Sequence, residues 1–198
     1  ENEIVVFEME DTGKRNLQGL DKPILDSLGI DKNKPEKQQR NQTGSPILEE
    51  GDILLNTTLA ETNDWQQVDL PVVRTLRHFC IETLSSYTED NQACISEVDL
   101  LDDKGQPIDK TKWEVVYVSS EQADKNLGVA ENLFDGDISS FWHTDPATEP
   151  GQPHRIIVDI KEIYKISALR FKVRKGAFLS GKVKEINVYG RPQFFLFH

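Results

Sequence analysis

Residues 132–144 read Asn-Leu-Phe-Asp-Gly-Asp-Ile-Ser-Ser-Phe-Trp-His-Thr, a stretch that places acidic and hydroxyl side chains around one glycine. Asp135 and Asp137 flank Gly136, and Ser140 follows shortly after. Hard cations such as calcium bind carboxylate, hydroxyl and main-chain oxygens, and glycine lets a chain turn tightly. The spacing is not that of an EF-hand loop. An ordinary Asp-Gly turn explains the same residues without a metal, so this stretch alone leaves both interpretations open.

Short apolar runs separated by turns lie on both sides of this stretch. In Leu169-Arg-Phe-Lys-Val173 apolar residues alternate with bases, the period of a half-buried strand. Short strands at this spacing, without a long helical pattern, are typical of a β-sandwich or jelly roll. The predicted strands are Ile53–Leu55, Gln66–Val73, Arg74–Leu84, Ala93–Leu101, Trp113–Val118, His154–Ile160, Ile166–Val173 and Val183–Tyr189, with a turn at Asp102–Gly105.

The N-terminal quarter of the chain has weaker signals. Glu3–Met9 is predicted as a short strand, and Lys22–Leu28 as one or two helical turns that begin at a proline. Asp31–Pro46 is polar and nearly devoid of apolar residues, which is typical of a linker. We therefore expect residues 1–50 to be an extension and residues 51–198 to form one all-β domain.

The charge of the chain is unevenly distributed. The net charge is −11 over 198 residues, which argues against nucleic-acid binding because that function needs a basic footprint. Residues 161–191 nevertheless hold nine basic and two acidic side chains, a net +7 that leaves −18 for the remainder. In an all-β protein this split is typical of strand faces that pair across a sheet.

Several functional classes lack their sequence signatures. No apolar run reaches the length of a membrane span, and the start at Glu1 is compatible with a removed signal segment. Cys80 and Cys94 lack clustered partners at zinc spacing; a disulfide and two buried thiols are both open. No nucleophile elbow, paired-histidine metal motif or phosphate-binding glycine loop occurs, so we expect a non-catalytic protein.

Four blocks of sequence, taken together, resemble the discoidin or coagulation factor type C (F5/8 type C) family. They are similar to its bacterial carbohydrate-binding modules and to the galactose oxidase N-terminal module. The resemblance implies a galactose-binding-like jelly roll. The blocks are residues 132–144, Pro-His-Arg-Ile-Ile-Val-Asp at 153–159, Leu-Arg-Phe-Lys-Val-Arg at 169–174, and Gly-Lys-Val-Lys-Glu-Ile-Asn-Val-Tyr at 181–189.

The order of two further strands departs from the family. The strand with Arg74-x-x-Arg77 and the strand Ser96-Glu-Val-Asp-Leu100 resemble the last two strands of the family, yet both precede Trp113. We therefore expect a circular permutation joined through the turn at residues 102–105. Such a change is physically easy when the termini of a domain lie close together at the surface.

The resemblance also implies a structural calcium ion in the Asp-Gly-Asp stretch. The ion would fix a loop and would have no catalytic role. Its implied ligands are side-chain oxygens of Asp135, Ser140 and Glu97 and main-chain oxygens of Asn132, Asp137 and Ser96.

Sugar binding in this family uses loops at one end of the sandwich, where aromatic faces and a few polar groups meet the ligand. The candidates are His143, Arg174, Phe178 and Trp142, although Trp142 is equally expected in the core and His143 in a structural role. Phe178 lies at the tip of a glycine-bounded loop, where exposed apolar residues tend to mark a contact surface.

These features predict a carbohydrate-binding module of a secreted, periplasmic or cell-surface protein, with a glycan or polysaccharide as its partner. The alternative is a protein-interaction or assembly module without sugar binding, because function resides in the loops and not in the fold.

Overall fold

The computed structural model describes residues 44–88, 90–147, 151–173 and 180–198. The strand and helical turns predicted within residues 3–28 lie outside these ranges, as do the candidate ligand contacts Arg174 and Phe178. Within the described ranges the regular structure is ten β-strands and three short 3-10 turns, without an α-helix. The predicted all-β fold is therefore confirmed. No helix in these ranges is long and apolar enough to cross a membrane.

The strands occupy most of the described chain. They are β1 (Pro46–Ile47), β2 (Ile53–Thr58), β3 (Gln66–Thr83), β4 (Cys94–Ile95), β5 (Glu97–Asp102), β6 (Glu114–Val118), β7 (Trp142–His143), β8 (His154–Lys172), β9 (Glu185–Arg191) and β10 (Leu196–Phe197). The 3-10 turns are Glu50–Asp52, Asp124–Asn126 and Ala130–Phe134.

The predicted strands Gln66–Val73, which contains Pro71, and Arg74–Leu84 form one strand, β3. Its antiparallel pairing with β8 shifts register between Asp69 and Arg74, and Pro71 lies within this shift. Proline has no main-chain N–H to donate to a ladder and is therefore found at bulges and edges. The prediction of two strands was wrong because the irregularity accommodates the proline without ending the strand.

The two strands predicted within residues 154–173 likewise form one strand, β8. It passes through a second irregularity, where the partner of Leu76 is Tyr164 and that of His78 is Asp159. Lys161 lies in this bulge and has a φ of 72°, a conformation in which a β-bulge bends the chain. Strands β3 and β8 therefore bend together and stay paired on both sides of the bulge.

The two halves of β8 pair with different strands and so link both layers of the sandwich. The main sheet has the order β2-β9-β3-β8-β5, and β6 also pairs with β8. Val158 lies opposite Val115 of β6, whereas Leu169 lies opposite Leu100 of β5. All four side chains are buried in one hydrophobic cluster, which is the core between the layers.

Two short ribbons complete the fold. Strand β4 pairs with β7, and β1 pairs with β10. Strand β1 lies within residues 1–50, the range predicted as the extension, and its pairing joins that range to the C-terminal end of the chain. Cys80 and Cys94 are both buried thiols that form no disulfide, which decides between the two alternatives that the sequence left open.

The basic residues of the C-terminal third pair with acidic residues on neighbouring strands. Arg170 of β8 lies 2.7 Å from Asp99 of β5, which is its register partner. Arg191 of β9 lies 3.5 Å from Asp52. Arg170 thus has the cross-strand acidic partner that the charge distribution predicts, whereas the partner of Arg191 lies in the 3-10 turn Glu50–Asp52.

Candidate functional site

The Asp-Gly-Asp stretch forms a tight loop after the 3-10 turn Ala130–Phe134. Leu133 and Phe134 are buried in the core and anchor the loop, and Gly136 has a φ of 80°. A positive φ is readily adopted by glycine and strained for most other residues. The loop therefore needs Gly136 in order to turn its oxygens towards one point.

Oxygen atoms crowd around the hydroxyl of Ser140. Its Oγ lies 2.7 Å from Oδ2 of Asp135, 3.0 Å from the carbonyl oxygen of Asp137 and 3.5 Å from that of Asn132. A hydroxyl carries one proton and can donate to one acceptor at a time. The carbonyl oxygen of Asp137 also accepts a hydrogen bond of 3.1 Å from the main-chain N–H of Ser140, so the hydroxyl is left to serve Asp135 or Asn132. Oxygen acceptors gathered in this way suit a hard cation.

Glu97 reaches this loop from β5. Its side chain is buried, and its Oε1 accepts a hydrogen bond of 2.8 Å from the main-chain N–H of Gly136. The pairing of Glu97 with Lys172 of β8 fixes its position. A residue remote in sequence is thereby brought to the Asp-Gly-Asp loop, where the resemblance placed it.

The charge of Glu97 is poorly compensated in this position. Burial raises its pKa to about 8, and the neighbouring carboxyl of Asp135 adds to the rise, against the lowering caused by Lys110. Two acidic groups that share a buried site cannot both ionise at low cost unless a cation is close. The pair Glu97–Asp135 is therefore a place where positive charge is favoured.

The predicted donor set fits calcium. It combines two carboxylates, one hydroxyl and main-chain oxygens, which are the ligands that Ca²⁺ takes in proteins. Asp137 turns its side chain away to the N–H and hydroxyl of Ser139, at 2.9 and 2.6 Å, which leaves its carbonyl facing Ser140. Across the described ranges no group of three or more His, Cys, Asp or Glu residues is positioned as a metal site, so the main-chain oxygens of this loop, with that of the buried Ser96, are essential to the donor set.

Trp142 and His143 follow the loop but are both buried. Trp142 has no exposed surface, and its Nε1 donates to the carbonyl of Ser120 at 3.0 Å. The ring of His143 lies between the carbonyl oxygen of Thr144 at 2.5 Å and the hydroxyl of Ser180 at 2.7 Å. In this arrangement Trp142 offers no surface to a dissolved sugar, and His143 fixes the segment around Ser180.

A further loop, described at residues 86–88 and 90–92, contacts these elements and was not predicted from the sequence. The carboxylate of Asp90 accepts hydrogen bonds from the hydroxyl of Thr88 at 2.9 Å, from the N–H of Gln92 at 3.1 Å and from the N–H of Gly181 at 3.0 Å. The signal was present, because Thr-x-Asp-Asn is typical of a turn with local side-chain hydrogen bonds. It contained nothing to indicate the distant partner Gly181.

The described residues of three segments, 86–88 with 90–92, 143–147 with 151–154, and 180–181, lie together and are called the loop cluster. Nε2 of His154 lies 2.5 Å from the carbonyl oxygen of Asn91, and the hydroxyl of Thr144 donates to Oε1 of Gln92 at 2.5 Å. At Gly181 an added Cβ would lie 2.9 Å from the main chain of Ala93, so only glycine allows this approach. The cluster is therefore held by side-chain and main-chain contacts.

Comparison with known proteins finds similarity to a family over part of the chain. Residues 115–193 match the F5/8 type C domain. The predicted resemblance to this family is confirmed. A sialidase of Micromonospora viridifaciens is 33% identical over 84 residues, which make up 41% of this chain and 13% of the sialidase. The chain thus spans a small fraction of the length of that relative.

The matched segment runs from β6 to β9 and contains the four blocks that carried the resemblance. Strand β5, which contributes Glu97, precedes it in the chain. The structure places β5 beside the C-terminal half of β8 and Glu97 at the Asp-Gly-Asp loop. This is the arrangement that a circular permutation requires, and the permutation itself stays a prediction.

Proposed function

We propose that this protein is a non-catalytic carbohydrate-binding module of a secreted or cell-surface protein, with a structural calcium ion. The observation that carries the proposal is the F5/8 type C match over residues 115–193. The matched residues contain the Asp-Gly-Asp loop and two of the three segments of the loop cluster. The similarity to a segment of a sialidase, an enzyme named for its action on a sugar, supports the same class of ligand.

The calcium ion would add positive charge beside Glu97 and Asp135, beyond the charge that Lys110 brings to Glu97. Contacts within the chain connect the Asp-Gly-Asp loop to the loop cluster. The loop from Asp135 to Ser140 leads directly into β7, whose His143 contacts Ser180. Fixing the loop would therefore help to fix Ser180, which follows residues 174–179, where Arg174 and Phe178 are the proposed sugar contacts.

Enzymatic activity is not part of the proposal. The name sialidase describes the whole protein, and the similar segment makes up 13% of its length. In the loop cluster, Asp90 accepts a hydrogen bond from the N–H of Gly181, and the ring of His143 contacts the carbonyl oxygen of Thr144 and the hydroxyl of Ser180. Their contacts serve the architecture of the loops.

A glycan array with calcium present tests the proposal. The wild-type chain is expected to bind glycans that end in galactose or a related sugar, and Arg174→Ala is expected to lose this binding. Lys165→Ala is the matched control, because it removes one exposed positive charge near the middle of β8. Loss in both variants would indicate a non-specific charge effect, and binding that survives in Arg174→Ala would move the site elsewhere.

A protein-interaction module is the second candidate, and a surface away from the loop cluster favours it. A cavity of about 320 Å³ lies between β2 and the irregularity of β3, and most of its lining is apolar. Val72 on its rim is 67% exposed, and exposed apolar surface tends to mark contact sites. A glycan array without any bound sugar would favour this candidate over the first.

A further inference from the structure

Lys110 occupies a position that no sequence motif indicated. It lies in the connection between β5 and β6, and its side chain is mostly buried. Its Nζ lies 2.6 Å from Oε2 of Glu97, 2.6 Å from Oδ1 of Asp99 and 3.3 Å from the carbonyl oxygen of Val98. An ammonium group has three protons, so these three acceptors satisfy it completely.

The neighbours of Lys110 hold it in this place. The other carboxylate oxygen of Asp99 accepts a hydrogen bond from Arg170 at 2.7 Å, and the guanidinium of Arg170 lies over the ring of Trp65 at 5.3 Å. Displacing the ammonium would leave Asp99 and Val98 with an unpaired acceptor in a partly buried site, which is costly. Lys110 therefore stays beside Glu97 when other ligands approach.

Glu97 consequently faces two sites at once. Its Oε1 points to Gly136 and the Asp-Gly-Asp loop, and its Oε2 points to Lys110. A divalent cation in the loop would share one carboxylate with an ammonium group a few ångströms away. Like charges at such a separation repel strongly where water is largely excluded.

We propose that Lys110 is an internal cation that positions Glu97 before calcium binds and that lowers the calcium affinity of the loop. The inference rests on the proposed calcium site. Its consequence is a module that folds without calcium and responds to calcium only at high free concentration. Lys110 acts through Glu97 and is a positioning residue; it is not a ligand.

Calcium titration of the full 198-residue chain by calorimetry, together with thermal unfolding in chelator, tests this role. Lys110→Met removes the charge and keeps the length of the side chain, so we expect calcium affinity to rise by about tenfold or more, because the repulsion between the two cations is lost. The same variant should melt at a lower temperature in chelator, since Glu97 and Asp99 lose their shared partner.

Two further variants serve as controls. Lys112→Met removes the same charge from an exposed position in the same connection, and we expect its calcium affinity to stay within about threefold of wild type, because exposed charges are screened. Lys110→Arg keeps the charge and should keep the low affinity. If Lys110→Met does not fold in chelator, Lys110→Gln gives the same comparison with the polar contacts partly retained.

The outcomes separate this inference from the proposed function. Wild-type protein that binds calcium with the same affinity as Lys110→Met would overturn the role of Lys110 and leave the calcium site intact. A chain in which neither wild type nor Lys110→Met binds calcium would overturn both. A rise in affinity for Lys112→Met equal to that for Lys110→Met would also overturn the inference, because the effect would then be general.

Discussion

Glu97 and Asp159 are two buried carboxylates with a basic partner each, yet the protein shifts their pKa values in opposite directions. Burial by itself would raise the pKa of Asp159, but hydrogen bonds from Arg77 and from the main-chain N–H of Lys161 lower it to about 2. Arg77 contacts both carboxylate oxygens, at 2.9 and 3.0 Å, which is the bidentate geometry that stabilises a carboxylate most.

Glu97 has fewer donors and an acidic neighbour. Burial raises the pKa of Glu97 to about 8, and the carboxyl of Asp135 adds to the rise. Lys110 lowers the pKa only in part, because it divides its contacts between Glu97 and Asp99. Burial disfavours the charged form of both residues; the balance of donors and acids around each one decides the sign. The negative charge of Asp159 is balanced by its donors, and its role is structural. The acidic groups around Glu97, in contrast, favour one more positive charge.

The largest effect on stability is expected from a calcium ion that binds beside Glu97 and Asp135. Calcium at about one hundred times its dissociation constant should stabilise the wild-type chain by about 2.7 kcal/mol, because it binds the folded state alone. Asp135→Ala should abolish this stabilisation by removing one of two carboxylates. Thermal unfolding with calcium and with chelator measures it.

Asp137→Ala is the matched control for this prediction. It removes a carboxylate two positions after Asp135, and the contacts of this carboxylate are with Ser139. The carbonyl oxygen of residue 137 stays in place. The variant should therefore keep most of the response to calcium. Identical melting curves with calcium and chelator for the wild-type chain would refute the calcium site and make the two carboxylate regions functionally alike.

A smaller effect is expected at Asp159. Its pKa is about 2 in the folded chain and 3.8 in its ordinary range, so its ionised form stabilises the fold by about 2 kcal/mol at about 1.4 kcal/mol per unit. Because the folded pKa is the lower one, this stability is present above pH 3.8 and is lost as the pH falls through 2. Asp159→Asn should remove it.

Chemical denaturation of both proteins between pH 6 and pH 2.5 measures this contribution. The difference in the free energy of unfolding between wild type and Asp159→Asn should be largest near pH 6 and should decrease towards pH 2.5. Other carboxylates titrate in both proteins and cancel in the difference. A difference that stays constant with pH would show that Asp159 contributes through its shape and not through its charge.

The sequence predicted one of these two regions and not the other. The Asp-Gly-Asp loop combines adjacent acids, a glycine and a hydroxyl, so its chemistry is local and visible; Glu97 was reached through the family resemblance. The bidentate pair of Arg77 and Asp159 depends on the register of β3 against β8, which no local pattern records. Lys110 was missed for the same reason, because its partners become its neighbours only after folding.

Strand boundaries show the same limit. The alternation of apolar and polar residues located the sheet regions, including β5, β6 and β9. It could not predict that β3 continues past Pro71 or that β8 continues past Lys161, because the partner strand absorbs both irregularities. Local pattern thus predicts where strands lie, and tertiary pairing decides where they end.

The smallest effect is expected for Glu97→Gln in chelator. With a folded pKa of about 8 against an ordinary 4.5, part of the Glu97 population holds a proton at pH 7, and a neutral amide of similar shape should cost about 1 kcal/mol or less. Because the folded pKa is the higher one, unfolding releases a proton between pH 4.5 and 8. Wild-type stability should therefore fall relative to Glu97→Gln as the pH rises from 6 to 9.

Chemical denaturation of wild type and Glu97→Gln at pH 6, 7.5 and 9 decides the sign of that shift. A free energy of unfolding of Glu97→Gln that rises relative to wild type with pH would show that burial and Asp135 affect the pKa of Glu97 more than Lys110 does. A constant difference from pH 6 to pH 9, with the glutamine variant the less stable, would show that Lys110 keeps Glu97 ionised in the way that Arg77 keeps Asp159 ionised. Glu97 would then be a second structural ion pair, and the calcium site would depend mainly on the acceptor oxygens around Ser140.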